Sequence, residues 1–340
     1  MGSPSGTCPE CRTPVDGGDN FCEACGWELA VAAVSAGAAP LAACPQCRPS
    51  LISADGYCER CGRKAPAGRD HIELGLRGIA GVTDRGLRRH RNEDAMALAL
   101  THTPTGRAAV AVVCDGVSTS GHPDQASLAA ANRAVHVLTA KLRAGTAGEE
   151  ASTSAALAAD SAVRSLAGQS ANPPATTYVS GIVAPIAVTV CWIGDSRAYW
   201  LPASSPASAR LLTRDDSLAE ELAAAGVPAE ADAIASPGGH VVTRWLGADA
   251  GTPRPHTTRF EPPGPGVLLL CSDGLWNYRP GAGDLAQLAW PRAPGDLPGA
   301  AAGLLAFALG AGGHDNITVV LIAVPPGHTG AGTSHRSTPR

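Results

Sequence analysis

Acidic residues stand where apolar, strand-like segments begin or end. One adjacent pair, Glu93 and Asp94, follows a basic stretch in "GLRRHRNEDA". Four single aspartates lie in "VVCDGV", "CWIGDSRAYW", "LLLCSDGLW" and "GGHDNITVVL", namely Asp115, Asp195, Asp273 and Asp315. Carboxylates beside buried apolar strands are costly unless a cation compensates their charge. The pattern therefore predicts arginines or metal ions next to these residues.

The kind of ligand indicates the kind of metal. This part of the sequence has no cluster of His or Cys, and carboxylate oxygens with water favour hard octahedral cations such as Mg²⁺ or Mn²⁺. Gly116 follows Asp115, and a glycine lets the backbone approach closely enough for its carbonyl oxygen to be a further ligand. A lone Asp-Gly pair is more often a simple turn, so the prediction depends on the whole set.

A second kind of metal site is predicted in the first sixty residues. "CPECRTPVDGGDNFCEACG" and "CPQCRPSLISADGYCERCG" form a repeat in which each cysteine recurs 36 positions later. Two CxxC turns on neighbouring hairpins give the tetrahedral thiolate shell that zinc favours. A disulfide framework is the alternative, which the matched spacing disfavours. Two structural zinc ions are predicted, one bound by Cys8, Cys11, Cys22 and Cys25, the other by Cys44, Cys47, Cys58 and Cys61.

The charge of this module limits its partners. Residues 1–61 carry three basic and seven acidic side chains, and thiolates around zinc add negative charge. Nucleic acid binding requires the opposite sign. The module is therefore predicted to dock a protein partner or to regulate the second domain, and a nucleic acid binder with an accessory catalytic domain is the disfavoured alternative.

Composition narrows the class of protein. The chain has 340 residues, 44% of them hydrophobic, and a net charge of -4, which favours a globular protein without attraction to nucleic acid or anionic membranes. No apolar stretch reaches the ~20 residues of a membrane span. Paired cysteines and an N-terminus unlike a signal peptide predict a reducing cytoplasm. The Arg-, Ala- and Gly-rich composition is typical of a GC-rich bacterial gene.

The remaining pattern predicts four regions: a double zinc-ribbon module at 1–62, a polar linker at 63–71, a second domain at 72–326 and a disordered tail at 327–340. The second domain mixes Val- and Ile-rich segments with Ala-rich helical ones, including helices at 123–142, 149–166, 217–225 and 297–309. A hairpin is predicted around Pro185. This mixture indicates an α+β layered fold. Cys114, Cys191 and Cys271 lie inside apolar segments and are predicted to be core residues.

The order of the motifs carries a family resemblance. "RHRNED", "CDG", "IGDSRAY", "CSDGLW" and "HDNITVV" resemble, in sequence and succession, the PPM-type (type 2C) metal-dependent serine/threonine protein phosphatases, over roughly residues 72–325. The resemblance implies an α/β/β/α sandwich of two antiparallel sheets flanked by helices. It also implies hydrolysis of phosphoserine and phosphothreonine in proteins, at a binuclear Mg/Mn centre with metal-activated water.

The resemblance assigns roles to individual residues. Asp115 would bridge two metals, with the Gly116 carbonyl on one of them. Asp273 and Asp315 would complete the shell of the other metal. The remaining assignments are Glu93 and Asp94 near the second metal, Asp195 at a third and weaker metal, and Arg89 at the substrate phosphate. Phosphorylated proteins, the substrates of a Ser/Thr kinase, are the implied partners.

The chain departs from the family pattern at several positions. Val117 stands where some members have a histidine after Asp-Gly, which leaves the acid for the leaving group unassigned. Asp216 stands in "RDDS" where histidine is usual. None of these changes removes a proposed metal carboxylate. The alternative hypothesis is a pseudophosphatase, a scaffold that binds phosphoproteins without turnover.

Overall fold

A computed structural model describes residues 6–7, 11–15, 22–24, 31–34, 53, 57–62, 68–226 and 241–325. Its strands are β1 (Gly6–Thr7), β2 (Pro14–Val15), β3 (Val31–Val34), β4 (His71–Leu76), β5 (Ile79–Asp84), β6 (Asp94–Thr103), β7 (Gly106–Asp115), β8 (Ala175–Thr176), β9 (Tyr178–Val183), β10 (Val188–Ile193), β11 (Arg197–Pro202), β12 (Arg210–Leu211), β13 (Leu246–Gly247), β14 (His256–Phe260), β15 (Gly266–Cys271) and β16 (Ile317–Val324).

The helices of the described residues occur at three places between the strands. They are α1 (Pro123–Arg143), α2 (Gly148–Ser165), α3 (Leu218–Ala224), α4 (Asp273–Trp276), α5 (Ala282–Ala289) and α6 (Leu297–Gly310), with a 3-10 turn at Pro206–Ser208. The four helices predicted from the sequence correspond to α1, α2, α3 and α6, with ends that differ by one residue at most. None of the described helices is long and apolar enough to cross a membrane.

Two six-stranded sheets form the centre of the second domain. The first has the order β14-β10-β9-β7-β6-β3 and the second the order β12-β11-β15-β16-β5-β4. Neighbouring strands in both sheets are antiparallel, and β9 and β10 form the hairpin predicted around Pro185.

Successive side chains of each strand point into different layers of the fold. In β6, Met96 and Leu98 pack between the two sheets, whereas Ala95, Ala97 and Ala99 pack against helices. This follows from the period of two in a strand, which points successive side chains to opposite faces. The alanine side of the first sheet lets the Ala-rich helices α1 and α2 lie close to it.

The second sheet is covered in the same way on its outer face. Leu285 of α5 and Leu304 of α6 join a buried cluster with Leu269 and Leu321 of the sheet. The layers are therefore helix, sheet, sheet and helix, and the α/β/β/α sandwich predicted from the sequence is confirmed.

The N-terminal module is described only in part. In the first repeat the sulfur atoms of Cys11 and Cys22 are 3.5 Å apart, and β1 pairs with β2. In the second repeat Cys58 and Cys61 are described. The zinc ligands predicted at Cys8, Cys25, Cys44 and Cys47, and the tail at 327–340, lie outside the described residues.

One strand of this module belongs to the second domain's sheet. β3, which lies between the two cysteine repeats, pairs antiparallel with β6 from Val31 opposite Leu100 to Val34 opposite Ala97. β4 begins at His71, one residue before the predicted start of the second domain. The domain boundaries at 62, 71 and 326 stay predictions.

Close packing of the sheets predicts a cost for added volume at Gly266 in β15. A Cβ atom there would meet the ring of Trp200 and lie 2.6 Å from the carbonyl oxygen of Leu201. We expect Gly266→Ala to lower the free energy of unfolding by about 1–3 kcal/mol, measured by urea denaturation. Gly264→Ala is the matched control, because a Cβ atom at Gly264 meets no atom within 4 Å. Equal stability of the two variants would contradict this packing.

Candidate metal centre

The ends of strands from both sheets carry the acidic residues. Asp94 is the first residue of β6 and lies directly opposite Asp115, the last residue of β7. In the second sheet Asp273 follows the end of β15, and Asp315 precedes the neighbouring strand β16. Asp195 lies in the turn between β10 of the first sheet and β11 of the second. The sandwich thus brings together carboxylates that are up to 221 residues apart in sequence.

Two glycines are required by close backbone contacts at this end of the sandwich. A Cβ atom on Gly116 would lie 2.6 Å from the carbonyl oxygen of Pro123 and 2.8 Å from that of Glu93. A Cβ atom on Gly274 would overlap the carbonyl oxygen of Asn316. The two Asp-Gly pairs therefore let the segments around Asp115 and Asp273 pack against their neighbours.

Burial, and after it mutual repulsion, raises the pKa values of these carboxyls. Burial is the largest cause for Asp115, followed by the charges of its four aspartate neighbours, Asp94, Asp273, Asp315 and Asp195. Asp273 is raised by burial and by Asp195, Asp315 and Asp94. Burial and Asp315 raise the pKa of Asp94 to about 6, and burial and Asp215 raise that of Asp195 to about 7. The group therefore takes up protons unless cations compensate its charge.

Two oxygens of this group are left without partners. Asp94 Oδ2 accepts hydrogen bonds of 2.7 Å from the hydroxyls of Ser272 and Thr318, but its Oδ1 is buried and unbonded. Asp273 Oδ2 accepts from Asn277 Nδ2 at 3.1 Å, and its buried Oδ1 likewise has no partner. Buried oxygens are normally satisfied, so these atoms fit ligands of a hard cation.

The acidic pair divides into two different environments. Glu93 Oε1 accepts a 2.9 Å hydrogen bond from Arg91 Nε, and its backbone N–H donates to Asn316 Oδ1 at 2.8 Å. Asp94, by contrast, interacts electrostatically with Asp115 and Asp315. Of the two residues, Asp94 is the one that the structure brings into the aspartate group.

The aspartates do not by themselves enclose an ion. Among the described residues, no three His, Cys, Asp or Glu side chains are close enough together to hold one metal. A cation here would therefore need backbone carbonyl oxygens or water beside one or two carboxylates, which is the coordination that Mg²⁺ adopts in proteins.

Arg89 lies at the edge of the aspartate group. Its Nη2 is 2.5 Å from Asp315 Oδ2, and its Nη1 donates to Ser118 Oγ at 3.1 Å. The hydrogen bond to Asp315 raises the pKa of Arg89. The side chain is 36% exposed, so the guanidinium can also meet a ligand from solvent.

Asp195 is held by an aromatic and ionic framework. Trp276 Nε1 donates to the Asp195 carbonyl oxygen at 3.0 Å, and the guanidinium of Arg197 lies 3.6 Å from the centre of the Trp276 ring. Arg197 also pairs with Asp215 at 2.7 Å. The next residue, Asp216, accepts from the Gly194 N–H at 3.0 Å and lies 2.9 Å from His256 Nε2. The "RDDS" segment thus fixes the turn that carries Asp195.

The three cysteines of the second domain lie in the core, as predicted. Cys114, Cys191 and Cys271 are fully buried in β7, β10 and β15. Burial raises the pKa of Cys114 well above its usual value and that of Cys191 to about 12. Thiols of this kind stay protonated and are not nucleophiles.

Sequence reasoning missed the residues that support the aspartates. Ser272, Asn316 and Thr318 lie inside the quoted motifs, so their proximity to Asp273 and Asp315 was a usable signal. Arg69 was assigned to the linker, yet its Nη2 donates to the Asp94 carbonyl oxygen at 2.7 Å. No sequence feature pointed to Arg69.

Both parts of the chain are similar to known proteins. Residues 8–62 match the double zinc ribbon family. The second domain has the fold of PPM-type serine/threonine phosphatases. The PPM Ser-Thr phosphatase MsPP of Mycobacterium smegmatis superposes with a TM-score of 0.56 and 26% identity, over 73% of this chain and 99% of that chain.

Two further relatives are similar to this chain. The catalytic domain of the phosphatase PstP, solved with two manganese ions, has a TM-score of 0.56 and 25% identity, over 72% of this chain and 97% of that chain. Serine/threonine phosphatase stp of Listeria innocua is 34% identical over 153 residues, which are 44% of this chain and 57% of that relative. The chain thus matches little more than half the length of this curated relative. The resemblance predicted from the motifs is confirmed.

The raised pKa values predict how pH affects the metal-free protein. A carboxyl whose pKa is raised in the folded protein stabilises the fold fully at pH values below its ordinary pKa of 3.8. This stabilisation is lost as the pH rises through the folded pKa, which is about 6 for Asp94 and about 7 for Asp195. We expect the unfolding temperature of metal-free protein to fall between about pH 5 and pH 8.

Saturation with Mn²⁺ is the control for this measurement, because it should remove most of the fall. Titratable residues outside the aspartate group affect the metal-free and the Mn²⁺-loaded samples equally. His71 is one such residue: burial lowers its pKa, but its contacts with Asp84 outweigh burial and raise it. A metal-free protein whose stability is constant or rises over this range, relative to the Mn²⁺ form, would contradict the account.

Proposed function

We propose that the chain is a protein-serine/threonine phosphatase that hydrolyses phosphoserine and phosphothreonine in proteins with two divalent cations, Mg²⁺ or Mn²⁺. The observation that carries the proposal is the group of aspartates with raised pKa values and two unbonded, buried oxygens at the meeting point of both sheets. It is supported by serine/threonine phosphatase relatives and by the manganese pair in the similar PstP domain.

The donor atoms of the chain suit two cations. Asp115 would be shared by the two cations, and the Gly116 carbonyl, Asp273, Asp315 and Asp94 would supply further protein oxygens, with water between an ion and a carboxylate wherever a third carboxylate would otherwise be needed. Asp195 would hold a third, weaker ion. When bound, such a pair lowers the pKa of a shared water and stabilises charge on the phosphoryl group. Glu93, which is engaged by Arg91, would act through water rather than directly.

The protein's own contribution is to hold the substrate phosphate. The Arg89 guanidinium presents a planar set of N–H donors that matches phosphate oxygens and stays charged at neutral pH. Ser118 and Asp315 fix its orientation from two sides.

Substrate selection is assigned to residues 217–246. Within the described part of this segment, Ser217 forms an isolated β-bridge with Val242, and Ser217 Oγ accepts the N–H of Glu220 at the start of α3. Asp216, at the base of the segment, is bonded to the turn before Asp195. The segment therefore begins beside the proposed centre, where a phosphoprotein surface would rest.

The zinc ribbons are proposed to bind two structural zinc ions and to serve a protein partner or regulation. Support comes from the family match and from the 3.5 Å separation of the Cys11 and Cys22 sulfurs, which suits two thiolates on one ion. Nucleic acid is not a proposed ligand because of the acidic charge of the module. The cytoplasmic location stays a prediction.

Loss of one metal carboxylate should abolish turnover. We expect Asp273→Asn to reduce Mn²⁺-dependent phosphate release from a phosphothreonine peptide by at least about a hundredfold, because the amide removes charge where two cations are held. Asp284→Asn is the matched control: Asp284 is an exposed residue in the first turn of α5.

The same assay separates the competing hypothesis. Phosphate release by the wild type that is absent in Asp273→Asn and normal in Asp284→Asn supports the enzyme. A wild type that binds the phosphopeptide and Mn²⁺ without releasing phosphate would instead support a pseudophosphatase scaffold.

The zinc assignment predicts a metal count. We expect two zinc ions per chain by mass spectrometry of the intact protein, and one after either Cys22→Ser or Cys58→Ser, because each substitution removes a ligand from a different repeat. The zinc assignment would be contradicted if either variant still bound two zinc ions, or if the intact mass showed that the cysteines are paired in disulfides.

A further inference from the structure

Arg69 lies between the cysteine repeats and the second domain in sequence and contacts the strand that carries Asp94. It lies seven residues after Gly62, the last residue of the second cysteine repeat, and three residues before the segment that resembles phosphatases. Its guanidinium is inserted between two segments of the second domain. Nη1 donates to the Asp124 carbonyl oxygen at 2.6 Å, and Nη2 donates to the Asp94 carbonyl oxygen at 2.7 Å.

These two contacts join elements that carry the centre. Asp94 begins β6, and Asp124 lies in the first turn of α1. The carbonyl of Pro123, next to Asp124, is the atom that a side chain on Gly116 would strike. One guanidinium therefore fixes the distance between the strand with Asp94 and the helix that packs on Gly116.

The backbone of Arg69 is fixed by the same region. Asn92 Nδ2 donates to the Arg69 carbonyl oxygen at 3.1 Å, while Asn92 Oδ1 accepts the Asp94 N–H at 3.1 Å. Asp94 is thus held on its N–H side by Asn92 and on its carbonyl side by Arg69. With the hydroxyls of Ser272 and Thr318 on Oδ2, this leaves Oδ1 as the free oxygen.

We propose that Arg69 is a positioning residue for the metal centre: it acts through the backbone of Asp94 and Asp124 and does not touch metal or substrate. The inference rests on the proposed function. Outer residues that orient metal ligands commonly change metal affinity by about 10- to 100-fold.

The test uses full-length, metal-stripped protein and Mn²⁺ as the probe. Mn²⁺ binding is measured by isothermal titration calorimetry for wild type, Arg69→Ala, Arg69→Lys and Arg77→Ala. Arg77 is an exposed arginine in the turn between β4 and β5 and is the matched control. Phosphate release from a phosphothreonine peptide is measured against Mn²⁺ concentration, with unfolding temperature as a check of the fold.

We expect Arg69→Ala to weaken Mn²⁺ binding on the order of tenfold or more, with kcat largely restored at saturating Mn²⁺. Arg69→Lys should show a smaller loss, because one ammonium cannot reproduce the spacing of two guanidinium donors. It also carries the test if Arg69→Ala does not fold. Arg77→Ala should bind Mn²⁺ as the wild type does.

Failure of the Arg69 inference and failure of the proposed function would give different results. Lower unfolding temperature with unchanged Mn²⁺ affinity in the folded Arg69 variants would overturn the inference and leave Arg69 a purely structural residue. A wild type that binds no Mn²⁺ would overturn the proposed function itself, whatever the Arg69 variants show.

Discussion

Burial of several carboxylates at one site, made worse by their mutual repulsion, governs how this part of the molecule is built. Asp94, Asp115, Asp195 and Asp273 all have raised pKa values, and burial is the largest cause for each. Without compensating charge, the desolvation of these carboxylates opposes the stability of the fold. The arrangement becomes favourable when divalent cations supply the missing charge.

The sandwich solves the problem of holding these groups together. Strands of both sheets end near one another, and each aspartate is either the terminal residue of a strand, as Asp94 and Asp115 are, or lies within two residues of one. The aspartates are therefore positioned by the ends of rigid strands and by short segments directly beside them. The outer supports are small and local: two hydroxyls on Asp94, an indole N–H on the Asp195 carbonyl, and the guanidinium of Arg69.

Much of the fold and many of the candidate site residues could be predicted from the sequence, because they depend on local sequence patterns. Val- and Ile-rich segments mixed with Ala-rich helical ones indicate a layered α+β fold, and the succession of Asp-containing motifs, through the family resemblance, implies the sandwich and the candidate ligands. The sequence does not distinguish Glu93 from Asp94, because the side chain that faces the other aspartates is determined by the residue at which β6 begins. Arg69 could not be predicted either, since its contacts depend on how a linker returns to β6. The pairing of β3 with β6 is a long-range contact of the same kind.

The most direct test of the central claim is electron paramagnetic resonance of the metal-stripped protein loaded with Mn²⁺, beside Asp115→Asn. A carboxylate that bridges two ions places them about 3.5 to 4 Å apart, close enough for their spins to couple. We expect a spin-coupled two-manganese signal in the wild type and its loss in Asp115→Asn. Only isolated, uncoupled Mn²⁺ in the wild type would contradict it.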